Sequence, residues 1–326
     1  MRALLMLVLL LAGLWTGWWF YGARQTEAAF EGWLAERAAL GEVAEADVAV
    51  RGFPSRFDTT LSDLEIGFGG WLWQAETFQT LMLAYAPNRA VAVWPGPQRL
   101  TSPSGATTVI EAGEARASGE VGLDSALELE SVTLVAREVV ITGPGWDALL
   151  PEFRLATRAG EGLDGTASDA AQHHVGGLIE RLVLPDAATG GGLLPAVVDE
   201  VRLDAVARFD RPVTLNGGVP AQLVALDVGS FELRWGDVAL EVADGRLSVD
   251  GNGFLAGSLP VRVRDYERLV EMLAALGLLP ARQSALALTG LSFLAGGGDD
   301  LTVPLSFSDG DVRLGPLRLG DAPRLR

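Results

Sequence analysis

Three hydrophobic patterns follow one another along the chain. From Ala3 to Gly22, twenty residues carry no charge (ALLMLVLLLAGLWTGWWFYG). As a helix rising 1.5 Å per residue this stretch spans about 30 Å, the hydrocarbon thickness of a bilayer. From Thr26 to Leu40, Phe30, Trp33, Leu34 and Ala38 recur at helical spacing among Glu31, Glu36 and Arg37. That spacing predicts an amphipathic connecting helix within residues 23–45, packed on the body of the protein because its charged face is mixed, not cationic. From about Val48 onward the period is two.

Phe57, Thr59 and Leu61 alternate with Asp58, Thr60 and Ser62. Val201, Leu203, Ala205, Ala207 and Phe209 alternate with Arg202, Asp204, Val206 and Arg208, and similar runs recur at Val224–Val228, Phe231–Trp235, Val238–Val242 and Leu259–Val263. Segments apolar on one side and polar on the other are half-buried strands. The turn signals Trp235-Gly-Asp237, Ala243-Asp-Gly245 and Asp250-Gly-Asn-Gly253 separate them closely enough to require an antiparallel meander. Asp265 is placed to cap a helix with the apolar stripe Leu269, Val270, Leu273 and Leu276, ended by Gly277 and Pro280. A second helix fits Arg282 to Phe293, before a Gly296–Gly298 loop, and strands then resume from Leu301.

The predicted fold class is mainly β: a curved antiparallel meander, groove- or barrel-like, with two or three short helices and one N-terminal transmembrane helix. The predicted division is a signal anchor over 1–22, the connecting helix over 23–45, and a β body over 46–326 with its helices near 265–294. Few helices are available to cover so many one-sided strands, so the sheet has to close, stack or curl to bury its apolar face.

A cleaved signal peptide competes with the anchor. The anchor is favoured by length, since signal-peptide apolar regions run to about 7–15 residues. It is also favoured by Trp15, Trp18, Trp19, Phe20 and Tyr21, which crowd one end as an interfacial belt, and by Tyr21 standing where a small residue would precede a cut after Ala23. Arg2 and the amino group against Arg24 leave the orientation count nearly even, and the very short leading tail suits an N-in anchor.

Composition removes several function classes. Lys+Arg 25 against Asp+Glu 42 gives a net charge of −17, and every basic residue is arginine. Such a chain offers no broad cationic face for nucleic acid or anionic headgroups. Without cysteine there is no disulfide framework, thiolate metal site or thiol nucleophile. The two histidines, His173 and His174, are adjacent. In a strand they point to opposite faces, so a surface or strand-end location is expected, not a metal site. No G-x-S-x-G elbow exists, Gly190–Gly192 and Gly296–Gly298 lack the pattern of phosphate loops, and the glutamate that would close a calcium loop begun at Asp250 is replaced by Val261. No cofactor and no enzymatic activity are expected.

One corner stands out: Arg51-Gly-Phe-Pro-Ser-Arg-Phe-Asp58. Phe53, Pro54, Arg56 and Phe57 form the candidate site, either as a structural corner or as a ligand or partner contact. Arg56 is expected to pair with Asp58 between apolar neighbours, as a buried pair whose loss is costly.

With an N-terminal anchor followed by Gly52-Phe-Pro-Ser-Arg-Phe57, the chain resembles the DUF2125 family of bacterial envelope proteins. Trp73 to Pro95, with its Tyr85-Ala-Pro-Asn88 and Trp94-Pro95, belongs to the same likeness, as do Leu301-Thr-Val-Pro-Leu-Ser-Phe-Ser-Asp-Gly310 and Leu314-Gly-Pro316. Residues 159–195 are the least family-like stretch. More distantly the architecture is similar to AsmA-like proteins, single-anchor envelope proteins with long curved sheets thought to hold lipid. These resemblances imply a single-pass inner-membrane protein, held through residues 1–22, with its C-terminal body in the periplasm. The expected role is non-catalytic binding of a lipid or other apolar ligand. The alternative is a scaffold or assembly factor binding another envelope protein, and nucleic acid is not expected as a partner.

Overall fold

A computed structural model describes the chain apart from residues 124, 164, 166–168, 187, 191, 216–218, 280, 296–299 and 326. Gly191, Pro280 and the Gly296–Gly298 loop singled out above therefore lie outside the described residues. The chain divides into two compact units, Met1–Val121 with Leu134–Gly145, and Gly122–Thr133 with Trp146–Arg326. The buried side chains of the two units gather into separate apolar cores that share no residue.

The first unit begins with one unbroken helix, α1 (Arg2–Ala39). The expected division into an anchor over 1–22 and a separate helix over 23–45 is not present. No proline interrupts the stretch, and the helix stops only where Gly41 takes a φ of 81°, the left-handed conformation that ends helices. The amide of Glu42 closes the end on the Arg37 carbonyl. At 38 residues the helix is roughly 57 Å long.

Next come β1 (Ala44–Arg51), β2 (Arg56–Phe68) and β3 (Trp71–Leu83), paired in sequence. The long β3 then carries two partners side by side. β4 (Ala86–Val93) pairs with its Gln79–Leu83 half, and β5 (Gln98–Thr101) with Leu72–Ala75. From β4 the ladder continues to β7 (Glu114–Val121), and from β5 through β6 (Thr107–Glu111) to β8 (Leu129–Gly143). Leu34 of α1 is buried with Leu61, Leu64, Ile66 and Ala75 of the sheet, so the second half of the helix packs on the body as its apolar spacing requires.

The second unit is the meander foreseen from the period-two runs. The strands β9 (Trp146–Ala159), β10 (Gln172–Val183), β11 (Val197–Phe209) and β12 (Leu223–Trp235) pair antiparallel in order. β12 then pairs with both β13 (Val238–Val242) and β14 (Gly245–Val249), which in turn pair with β15 (Leu255–Arg264). After α2 (Tyr266–Ala275) and α3 (Ala281–Ala295), β16 (Asp300–Ser308), β17 (Asp311–Leu314) and β18 (Leu317–Asp321) complete the ladder. Asp265 caps α2 as expected, its carboxylate accepting from the Arg268 amide at 3.0 Å. Asp250 makes a turn, its carboxylate accepting from the amides of Asn252 and Phe254.

On the polar side of this meander, arginine serves as the cross-strand cation. Arg208 and Arg246 both pair with Asp227, while Arg202 and Arg234 both pair with Glu200. On the apolar side, Leu203 faces Phe231 and Val201 faces Leu233, and the row continues through Val242, Val261 and Val303.

Candidate functional site

The corner read from the sequence is a seat for the helix. Gly52 has a φ of 107°, and a Cβ there would lie 2.8 Å from the Arg56 carbonyl oxygen, so only glycine fits the turn. The Phe53–Pro54 peptide is cis. Two indoles of α1 reach into the turn: Trp15 Nε1 donates to the Pro54 carbonyl and Trp19 Nε1 to the Arg56 carbonyl, each at 2.8 Å. Phe57 is 3% exposed and packs with Trp19, Ala23 and Ala84. The Trp19 ring lies 5.4 Å edge-on to Phe53 and 5.9 Å from Phe57.

Arg56 does pair with Asp58. Its Nε donates to one carboxylate oxygen at 2.9 Å, and an Nη lies 2.7 Å from the other. The expected burial is overturned, because the arginine side chain is 48% exposed. Phe57, next along the strand, turns toward the helix and leaves the guanidinium at the rim. An exposed pair of this kind is worth about 0–1 kcal/mol. Phe53 is also outward, 51% exposed. The four corner residues therefore divide into an inward anchor, Phe57, a tight turn at Pro54, and two residues facing out.

Two apolar cavities lie elsewhere, one in each unit. In the first unit Ala29, Phe30 and Trp33 of α1 face Leu61, Leu64, Ile66, Trp73 and Phe78 across about 410 Å³. The second measures about 330 Å³ and is lined solely by apolar side chains. It draws them from every strand between β11 and β18, together with Leu269 and Leu273 of α2. That lining fixes the curvature of the sheet. Six interstrand steps of about 4.8 Å would place β11 and β18 roughly 29 Å apart if flat. Leu203 of β11 and Leu319 of β18 nevertheless line the same cavity. The sheet of this unit curls around an apolar interior, with α2 against one side, and Leu203, Leu226, Phe231, Leu305 and Leu319 remain half-buried at the lining.

The histidines point to opposite faces of β10, as strand geometry dictates. His174 Nε2 meets the Asp204 carboxylate at 2.5 Å on the polar side. His173 stands at the start of the strand but is buried, 3% exposed, which corrects the surface location. Its Nδ1 lies 3.2 Å from the Thr157 hydroxyl, its ring meets Phe209 edge-on at 5.6 Å, and its Nε2 has no partner. Burial pushes its pKa below the ordinary 6.5. Among the described residues no three metal-ligating side chains come together.

The period-two runs announced which side chains face inward, but not that the two ends of the meander meet around one volume. Nor did the sequence reveal the tie of Trp15 and Trp19 to the corner. Their position at the end of the apolar run gave only the belt reading, and a hydrogen bond across 37 or 39 residues leaves no local signal.

The chain belongs to the DUF2125 family, described as an uncharacterized protein conserved in bacteria, whose profile matches residues 19–323. No curated protein and no solved structure matches it, so the AsmA-like likeness gains nothing from these comparisons.

Proposed function

We propose that this bacterial protein is a single-pass, membrane-anchored binder of an apolar chain, the acyl chain of an envelope lipid, without catalysis. The observation that carries this reading is the cavity of about 330 Å³ in the second unit, whose lining holds no polar side chain. Its volume falls in the range of small-molecule sites, roughly 300–1,000 Å³. Water gains little there, because it needs two to four polar partners. A methylene chain needs none. With no donor or acceptor in the lining, recognition is of the chain, and a headgroup stays outside.

The membrane part rests on α1, the one described helix long and apolar enough to span a bilayer. In this reading the amino terminus is cytoplasmic and the two β units are periplasmic, held at the inner membrane.

The test uses the full chain in detergent with a photoreactive palmitate. Crosslinks are expected in peptides from β15 and α2, and Val261→Trp, which fills the cavity, is expected to abolish them. Label confined to α1, or unaffected by Val261→Trp, overturns the site.

A scaffold role is the second reading. It is favoured by Leu286 and Phe293, apolar residues one heptad apart on α3 that both face outward. Crosslinking in intact cells that recovers one consistent protein neighbour through α3, and no lipid in the cavity, would select it.

A further inference from the structure

We infer that the end of the first unit's sheet carrying Phe53 and Tyr85 is a second membrane contact, a foot seated in the headgroup–acyl boundary of the bilayer that α1 crosses. The inference rests on the reading of α1 as a span.

The hydrogen bonds of the indoles set the height of the foot. Trp15 lies seven residues inside the apolar run that ends at Gly22, roughly 10 Å along the helix axis. Its Nε1 holds the Pro54 carbonyl, and Trp19 holds that of Arg56. The loop tip is therefore fixed at the level of Trp15. Were that level in water, only Ala3–Leu14 would remain to cross the membrane. Those twelve residues measure roughly 18 Å, far short of a hydrocarbon core of about 30 Å. The helix can span only if the loop enters the bilayer with it.

Backbone outside helices and closed barrels is tolerated at membrane depth only where its polar groups are satisfied within the protein. Most of the loop's polar groups meet that condition. The Gly52 carbonyl accepts from the amides of Ser55 and Arg56, and the Ser55 carbonyl accepts from Ala84. Those of Pro54 and Arg56 take the two indoles, and Pro54 has no amide to place.

The side chains fit the same location. Phe53 packs against Phe20 with ring centroids 6.0 Å apart. Tyr85, 66% exposed, sits on the neighbouring turn between β3 and β4, which the Ala84–Ser55 bond ties to the loop. Exposed aromatics gathered at one end of a sheet, level with the aromatic end of a span, form an interfacial belt. The half-exposed guanidinium of Arg56 is placed as a snorkelling arginine would be, toward the headgroups.

The chain has no cysteine, so single-cysteine variants of the full chain can be labelled with an environment-sensitive fluorophore. They are reconstituted into phosphatidylethanolamine–phosphatidylglycerol vesicles. Labels at Phe53→Cys and Tyr85→Cys are expected to be quenched by lipids carrying a nitroxide high in the acyl chain. Both are expected to be several-fold less accessible to aqueous iodide than a label at Ser104→Cys, on the turn between β5 and β6 at the far end of the sheet. A label at Val8→Cys reports the span itself. Iodide access at positions 53 and 85 equal to that at 104, with position 8 quenched by lipid, overturns the foot and leaves the anchor standing. Position 8 unquenched by lipid overturns both.

Discussion

The ring of Phe57 occupies the place where a side chain at position 22 would begin: a Cβ built on Gly22 would lie 2.5 Å from the Phe57 Cζ. Helix and sheet approach this closely only because one partner has no side chain. Gly22→Ala is expected to destabilise the first unit by about 1–3 kcal/mol through overpacking. Phe57→Ala is expected to cost about 3–5 kcal/mol through the cavity it leaves. The two changes touch the same space, so the double variant should be more stable than the sum of the two costs implies. Thermal unfolding of the full chain in detergent measures all three.

Arg56→Ala is expected to melt close to the parent, within about 1 kcal/mol, because its ion pair with Asp58 is half exposed. The Trp19 hydrogen bond survives, since it uses the backbone carbonyl of residue 56. A loss of several kcal/mol on chemical denaturation would mean that Arg56 is buried after all.

Filling the second unit's cavity should separate binding from folding. Leu247→Phe and Val261→Trp both add volume toward a lining that holds only apolar side chains. Each is expected to lower capture of a fluorescent fatty acid at least tenfold while the melting temperature holds or rises. The parent should show little preference among lipids that share acyl chains and differ in headgroup, because no polar lining group reads the headgroup. Equilibrium titration against a headgroup series reads this directly.

His173 is expected to give the fold an acid-sensitive limb. Its native pKa lies below the ordinary 6.5 because burial disfavours the imidazolium. Between the native value and 6.5 the unfolded chain binds a proton that the folded chain does not, so stability falls as the pH drops through that window. Above pH 6.5 both states are neutral and this contribution is complete. His173→Leu should flatten the slope below pH 6.5 and leave it unchanged at pH 8, as followed by denaturation midpoints across the range.

What was legible in the sequence was whatever a local period records. The alternation at Val201–Phe209, the cap at Asp265 and the turn at Asp250 each depend on a few neighbouring residues, and each is where the pattern placed it. Closure was not legible, because Leu203 and Leu319 meet through six interstrand steps that no local pattern encodes. Arg56 shows a different loss. Its aromatic neighbours suggested burial, but Phe57 faces inward and Arg56, next along the strand, faces out. His173 is the converse: strand alternation set the two histidines on opposite faces, and nothing local announced that His173 would be buried.

The unbroken helix turns the first unit and its candidate membrane segment into one rigid beam. α1 is fastened at two heights, to the corner through Trp15 and Trp19 and to the sheet through Leu34, with no hinge between them. Any tilt the bilayer imposes on the span is therefore imposed on strands β1 to β3 as well. A thinner membrane, which makes a long span tilt further, would swing this sheet with it. With α1 as the span, the pose of the first unit at the lipid surface follows bilayer thickness, with no slack in the connection to absorb the change.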